Sequence, residues 1–370
     1  PLSKLKDKRV AIIGTGATAV QVVPHLARAG GTVYVVQRTP SSVDARGNAP
    51  TDPEWFRSIA TPGWQKRWLD NFARNIAIGL PPEEDLVQDG WTDIMGRIRE
   101  RVLTLPMDQI TPTSILAVYE DAEIEKMSEV RARAEAIVHD KETAEKLKAW
   151  YRQWCKRPCF HDAYLQAFNE PGTHLIDTDG KGVERIDETA FWVNGTHFEV
   201  DCIIYASGFE VGTSHQRRAG FDMAGVGGKR LSQAWADGMQ TLHGLHVRGF
   251  PNAFIVQIAQ AANFGANVPH NWTDAGETIA AVVSHARDTG RRIVEPTPQA
   301  QAEWVALIKT GMPSFVGAVA ECTPGYYNLE GTSADISGFL PSGYPLGSVA
   351  YFEYIDNWRR SGDFTGLAFS

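Results

Sequence analysis

Three features of the sequence predict an α/β chain built on a doubly wound parallel sheet. The first is a buried strand, "RVAII" at Arg9–Ile13, that runs straight into a glycine-rich turn. The second is the helical spacing of Ala19, Val22, Val23 and Leu26, which stops at Gly30-Gly31. The third is another apolar run, "TVYVVQRTP", ended by Pro40. Together they form a βαβ unit of about 30 residues, the usual opening of a Rossmann-like fold.

The remaining elements follow in chain order. After a connection rich in Pro, Gly and Asn, residues 41–150 turn helical. Thr61-Pro62 reads as an N-cap and N1 pair, opening a helix with Trp64, Trp68, Phe72 and Ile76 on one face. Strand texture returns in "THLIDT" and in "AFWVNGTHFEV", where Asn194-Gly195 signals a hairpin. "DCIIYASG" is a buried strand ending at a glycine turn, and "GFPNAFIV" reads as one more strand. "NWTDAGETIAAVVSHARDTG" is an amphipathic helix, and Gly331–Gly347 is loop-like. The expected organisation is a discontinuous nucleotide domain over 1–40 and 151–205. A helical insertion fills 41–150, and a second domain fills 206–370.

Composition narrows the function classes. The 370 residues are 43% hydrophobic and 22% charged, enough to bury a large core. A formal charge of −8 argues against a general nucleic-acid binder but leaves room for local cationic sites that hold small anions. No stretch approaches the roughly 18 apolar residues of a membrane span. No signal-peptide pattern opens the chain, so a cytoplasmic location is expected. The cysteines, at 155, 159, 202 and 322, are too few for a disulfide framework, and reduced thiols are expected. The chain opens at Pro1, and a short polar stretch leads directly into the first strand, as in a segment of something longer.

Gly14-Thr15-Gly16-Ala17-Thr18-Ala19 is G-x-G-x-x-A between a strand and a helix. The first glycine permits the tight turn, and the second lets the backbone approach a pyrophosphate. The small third residue allows close helix–strand packing. Without a ligand the same residues are simply a tight turn. At the end of the second strand stand Gln37, Arg38 and Thr39. An acidic residue there would accept from a ribose 2′-hydroxyl. A cation beside a hydroxyl suits a 2′-phosphate instead, which favours NADP over NAD. The bland alternative is a solvated arginine at a strand end.

"WCKRPCFHDAY", Trp154–Tyr164, admits several chemistries. Pro158 opposes a regular helix that would align Cys155 with Cys159, no second Cys/His pair stands at metal spacing, and no C-x-x-C is present. No metal is therefore expected. A Cys159–His161 pair at i,i+2 needs a sharp turn to meet. Lys156-Arg157, adjacent cations before a proline, carry more information, although an isolated Lys-Arg is usually solvated surface.

These motifs, with "KRVAIIGTGATAVQ", "VVQRTP", "CKRPCFHDAYLQAFN", "HLIDT", "VDCIIYASGFE" and "GFPNAFIV" in order over nearly the whole chain, resemble the C-terminal portion of the flavin-dependent Baeyer–Villiger monooxygenases. The resemblance leans toward the branch acting on large cyclic ketones. It implies an NADP domain and the C-terminal part of an FAD domain, with FAD and NADP as cofactors and O₂ and a small-molecule ketone as substrates. No nucleic-acid or membrane partner is implied. Gly14, Thr15, Gly16, Ala17, Thr18, Ala19 and Gln21 would lie along the NADP pyrophosphate. Arg38, Thr39 and Lys156 would meet its 2′-phosphate.

Ala206-Ser207-Gly208 matches the segment crossing between the two domains, with Ser207 in place of the usual Thr. Tyr326 falls near the nicotinamide, and "VQIAQAANF" replaces the usual flavin segment, so that Gln257 and Gln260–Asn263 line the flavin. Arg157 falls on the catalytic arginine, which stabilises the flavin peroxide and the tetrahedral adduct on the way to an ester or lactone. The FAD fingerprint and the acidic partner of that arginine would precede Pro1, supplied by the parent chain. Two alternatives remain: a related flavin monooxygenase oxidising amines or sulfides, and an NADP-binding module without flavin or turnover.

Overall fold

The structure, a computed structural model, describes residues 2–77, 84–210, 213–311, 322–325, 327–331 and 343–370. The chain forms two compact units, Pro1–Asp52 with Asp89–Phe209, and Pro53–Gln88 with Glu210–Ser370. The segment expected as a single insertion, 41–150, is thus divided between them.

In the first unit, strands β1 (Lys8–Ile13), β2 (Gly31–Gln37), β5 (Thr173–Asp177) and β9 (Cys202–Tyr205) make a parallel sheet in the order β5-β2-β1-β9. Alternation along β1 assigns its side chains. Val10 and Ile12 join Val33 and Val35 of β2 on one face, against Ala19, Val20, Val23 and Leu26 of helix α1 (Ala17–Ala29). Ala11 and Val36 face the other way, onto Phe191, Val193 and Val200. A sheet buried on both faces needs near-continuous apolar strands, and "RVAII" and "TVYVV" supply them. Phe191 and Val193 lie on β7 (Ala190–Val193), which pairs with β6 (Arg185–Ile186) and β8 (Thr196–Glu199). The turn between β7 and β8 has Asn194 at φ 50° and Gly195 at φ 72°, the left-handed pair a type I′ hairpin requires.

Helices α4 (Gly90–Thr104), α5 (Pro112–Ile137) and α6 (Lys141–Lys146) complete this unit. Ile94 and Ile98 of α4 pack on Ala122 of α5. A short parallel pair, β3 (Val43–Asp44) and β4 (Cys159–Phe160), ties the two ends of the helical segment together. Helix α5 secures that pair twice over. Lys126 bridges Asp44 and Asp93, and Arg133 donates to the carbonyls of Val43 and His161.

The second unit holds helices α2 (Pro53–Ile59), α3 (Trp64–Ile76), α7 (His215–Ala219), α8 (Leu231–Ala234), α9 (Val268–Asp288), α10 (Pro298–Lys309) and α11 (Gly347–Ser361). It also holds the antiparallel pair β10 (Val294–Pro296) and β11 (Leu367–Phe369). Its core gathers Ala73, Val282, Trp304, Ile308, Tyr351, Phe352, Ile355 and Trp358.

Two expectations are corrected here. Helix α3 starts at Trp64 with Gly63 as its N-cap, not at Thr61-Pro62, and it buries Asn71, Ala73 and Asn75 more deeply than its aromatic face. The two asparagines are buried because they are satisfied: Asn71 bonds the backbone of Glu84 and Leu86, and Asn75 bonds Asn71. The "GFPNAFIV" segment forms a turn and one bridge, His246 to Phe254, instead of a strand. Asn252 sits at φ 59°, and its side chain bonds Arg292 and Val294 in place of a ladder.

Candidate functional site

The glycine turn lies where β1 meets α1, at the carboxyl end of the parallel sheet, the position that accepts ligands in open α/β folds. Gly14 has φ 111°, and its N–H donates to the Val36 carbonyl at 2.9 Å. A Cβ there would stand 2.4 Å from the Ala206 carbonyl oxygen, so only glycine fits between β1 and the end of β9. Gly16 is different. Its backbone is ordinary (φ −71°), a Cβ would meet nothing within 4 Å, and the residue is exposed. The protein itself does not require glycine there; close approach of a ligand backbone would.

Gly16 is the N-cap of α1, without a side-chain cap and without an acidic residue in the first turn. The leading N–H groups at Ala17 and Thr18 therefore have no side-chain cap, and with the helix dipole such a start is a ready anion site. Ala19 is fully buried in the core, the close packing expected of the third small residue. Gln21 turns its amide onto the Ala17 carbonyl at 2.8 Å.

The structure links this turn to the basic segment. Thr15 Oγ1 donates to the Thr39 carbonyl at 2.7 Å, and Ser41 Oγ donates to the Thr15 carbonyl at 2.6 Å. The next residues, Ser42 and Val43, accept the Cys159 strand, Cys159 N donating to the Ser42 carbonyl at 3.0 Å. Arg38 and Thr39 at the end of β2 and Lys156-Arg157 before β4 are therefore carried on one continuous hydrogen-bonded frame. Ala206, beneath Gly14, leads into exposed Ser207 and Gly208. Tyr326 lies outside the described residues.

The thiol and imidazole of "WCKRPCFHDAY" take no catalytic pose. Burial pushes the Cys159 thiol up to about 11, which keeps it protonated and inert. His161 Nδ1 accepts from the Ala163 N–H at 3.0 Å, and burial lowers its pKa. Cys155 is disulfide-bonded, which corrects the expectation that every cysteine is reduced. Asp162 accepts the N–H groups of Arg46, Gly47 and Asn48, and those donors, Asn48 and Gly47 foremost, lower its pKa.

Arg157 is exposed, with its guanidinium 5.8 Å from the Trp91 ring centre. Trp91 packs 5.1 Å from Phe160 and 6.1 Å from Trp154. Phe160 lies so tightly on Gly90 that a Cβ there would fall 2.1 Å from its ring. Lys156 Nζ stands 5.8 Å from the Tyr151 ring. An aromatic face holds a cation without neutralising it. Sequence reasoning missed Trp91, which sits 66 residues before Arg157 with no motif to join them.

In the second unit, the expected flavin-lining glutamines are committed internally: Gln257 to Gly244 and Met239, and Gln260 to Thr241 and Met239. Among the described residues of this unit, Thr213, His215, His243 and His246 each bury a polar atom without a partner, and three more such atoms lie just before and in the first turn of α9. Asn263 Oδ1, His270 Nδ1 and Asn271 Oδ1 are buried without hydrogen bonds. Buried polar atoms are rarely left this way unless a ligand or water completes them. "ANVPH" carried the signal, because Asn267 caps α9 by accepting from His270 N and Pro269 opens its first turn.

The chain is 43% identical to neopentalenolactone D synthase of Streptomyces avermitilis over 368 residues, covering 99% of this chain and 61% of that protein. It is 38% identical to Baeyer-Villiger monooxygenase 4 of a Dietzia species, covering 100% of this chain and 59% of that protein. Among solved structures, it matches a polycyclic ketone monooxygenase from Thermothelomyces thermophila with TM-score 0.85 and 35% identity, covering 100% of this chain and 60% of that one. A steroid monooxygenase bound to NADP, at 23% identity and TM-score 0.72, shares the fold. No family model matches the chain. The chain spans about 60% of the length of the curated relatives it matches.

Proposed function

We infer the function from one premise: the chain belongs to the flavin-dependent Baeyer–Villiger monooxygenases. The reading is NADPH- and FAD-dependent oxygenation of a bulky or cyclic ketone to an ester or lactone. The observation that carries it is the frame running from the Gly14–Gly16 turn through Thr39 and Ser41 to the Lys156-Arg157 segment.

The residues present fit both cofactors. The open backbone at Gly16 and the uncapped start of α1 would receive the NADP pyrophosphate, with Arg38, Thr39 and Lys156 for its 2′-phosphate. The unpartnered atoms of Asn263, His270 and Asn271 would receive polar groups of FAD. Bound FAD, reduced by NADPH, supplies activated oxygen from O₂. The chain's own task is then electrostatic. Oxygen transfer to a ketone puts negative charge on the carbonyl oxygen, and Arg157 is the fixed cation we assign to it. Trp91 orients that guanidinium and leaves its charge intact. Ala206 and the Ser207 backbone, packed under Gly14, hold the segment that follows β9, Ala206-Ser207-Gly208, beside the nucleotide turn.

In the complete enzyme, Arg157→Ala should abolish ester formation while NADPH still binds; ester formation retained by this variant would overturn the assignment. Colour separates this reading from a nucleotide-binding module. Yellow protein consuming NADPH with a cyclic ketone supports it, and colourless protein retained on a 2′-phosphoadenosine column supports the module.

A further inference from the structure

The second unit contains a buried histidine that none of the chemistry above uses. His243 is 2% exposed, and its backbone is held at φ 58°, a conformation a non-glycine residue adopts at a cost. That conformation directs the ring into an aromatic cluster. Trp304 and Trp358 lie 4.8 and 4.7 Å away, and Tyr354 lies 5.5 Å away. His243 Nε2 is 3.2 Å from the Tyr354 hydroxyl. Burial pushes the imidazole well below its ordinary value, so the ring is neutral and a nitrogen lone pair is available.

The rings continue in both directions from this pair. Tyr354 is 5.6 Å from Trp304 and 5.8 Å from Tyr344, and Trp304 and Tyr344 stack at 5.7 Å. Inward, Trp304 Nε1 donates to the Gln260 carbonyl at 3.1 Å, and Tyr344 N donates to the Ala261 carbonyl at 2.9 Å. Both therefore touch the loop that precedes the unpartnered atoms at α9. Outward, Tyr354 is 38% exposed. The cluster thus runs from that loop to solvent through oxidisable rings in near contact.

We propose that Tyr354 and His243 form a proton-coupled oxidation site. In it, one electron leaves the Trp304–Tyr344–Tyr354 cluster as the Tyr354 phenolic proton passes to His243 Nε2. The oxidant is an oxygen-centred radical of the hydroxyl class, formed when ferrous ion in solution gives one electron to the hydrogen peroxide that reduced flavin and O₂ release without substrate, splitting it into hydroxide and the radical. Only this source of oxidant rests on the flavin reading above. The radical gains one electron and becomes hydroxide. The Tyr354 O–H bond breaks, leaving a neutral phenoxyl beside a protonated imidazole. A small-molecule thiol from solution then gives a hydrogen atom to the phenoxyl oxygen at the exposed edge of Tyr354 and becomes a thiyl radical. The imidazolium returns its proton to hydroxide as water.

Phenol loses its proton readily once an electron is removed, so even an imidazole weakened by burial accepts it. Tyr351 does not compete, because its hydroxyl donates to the His243 carbonyl, which is no base, and its ring is 5% exposed. The site would drain oxidising equivalents away from the interior.

The test uses the 370-residue chain without added flavin, oxidised by a photogenerated ruthenium(III) tris-bipyridine complex. We expect a tyrosine phenoxyl signal by electron paramagnetic resonance, rising more slowly in D₂O than in H₂O. Tyr354→Phe, a conservative change at a partly exposed ring, should abolish it, and Tyr344→Phe should retain it. A signal undiminished in Tyr354→Phe, or a rise insensitive to D₂O, overturns the proposal. The flavin reading fails separately: a complete enzyme that never binds FAD, while this chain still gives the Tyr354 signal, keeps this site and loses that reading.

Discussion

At the scale of single residues, the two glycines of the turn have different jobs. Gly14 is fixed by the protein, through φ 111° and the Ala206 carbonyl 2.4 Å from any added Cβ. Gly14→Ala should therefore lower the urea midpoint, costing more than about 1 kcal/mol. Gly16 has no such constraint, and Gly16→Ala should leave the midpoint unchanged while weakening NADP⁺ binding measured by calorimetry. Equal loss of stability in both variants would contradict this division. The motif was visible in the sequence, but this distinction was not. It depends on Ala206, which reaches Gly14 from almost two hundred residues away only after β9 pairs with β1.

At the scale of elements, local patterns reported well wherever neighbours in sequence decide the structure. The β1-α1-β2 unit and the Asn194-Gly195 hairpin are set by period and turn chemistry, and both could be read in advance. Helix α3 could not, because its buried asparagines are explained only by the backbone of Glu84 and Leu86. The start of α4 was equally hidden. It places Trp91 against Arg157, a contact of a type contributing about 0.5–1 kcal/mol. If the proposed ketone oxygenation holds, Trp91→Leu in the complete enzyme should lower its kcat by roughly twofold to fivefold while KM for NADPH holds. Steady-state kinetics with saturating ketone would show it, and an NADPH effect alone would refute a positioning role.

At the scale of the whole molecule, buried imidazoles set an acid limit. Burial pushes His246 and His270 each down to about 4 in the folded chain. In the unfolded chain both titrate near 6.5. Between those values the unfolded state binds more protons, so stability is full above about pH 6.5 and declines as pH falls toward about 4. The urea midpoint should be lower at about pH 5 than at about pH 7, and His270→Gln should flatten that slope.

The division of the chain also governs how it is made. Unit boundaries fall at Asp52/Pro53, Gln88/Asp89 and Phe209/Glu210, so neither unit is contiguous. Arg74 of α3 meets Glu353 of α11, 279 positions further along the chain, and Ala73 packs into the core that holds Tyr351 and Ile355. During synthesis α3 must wait, its apolar surface uncovered, until Tyr351 and Ile355 have left the ribosome. Closing so long a loop is slow and leaves the nascent chain prone to aggregation. Yield on expression should therefore respond to temperature and chaperone supply more than to any single contact in the site.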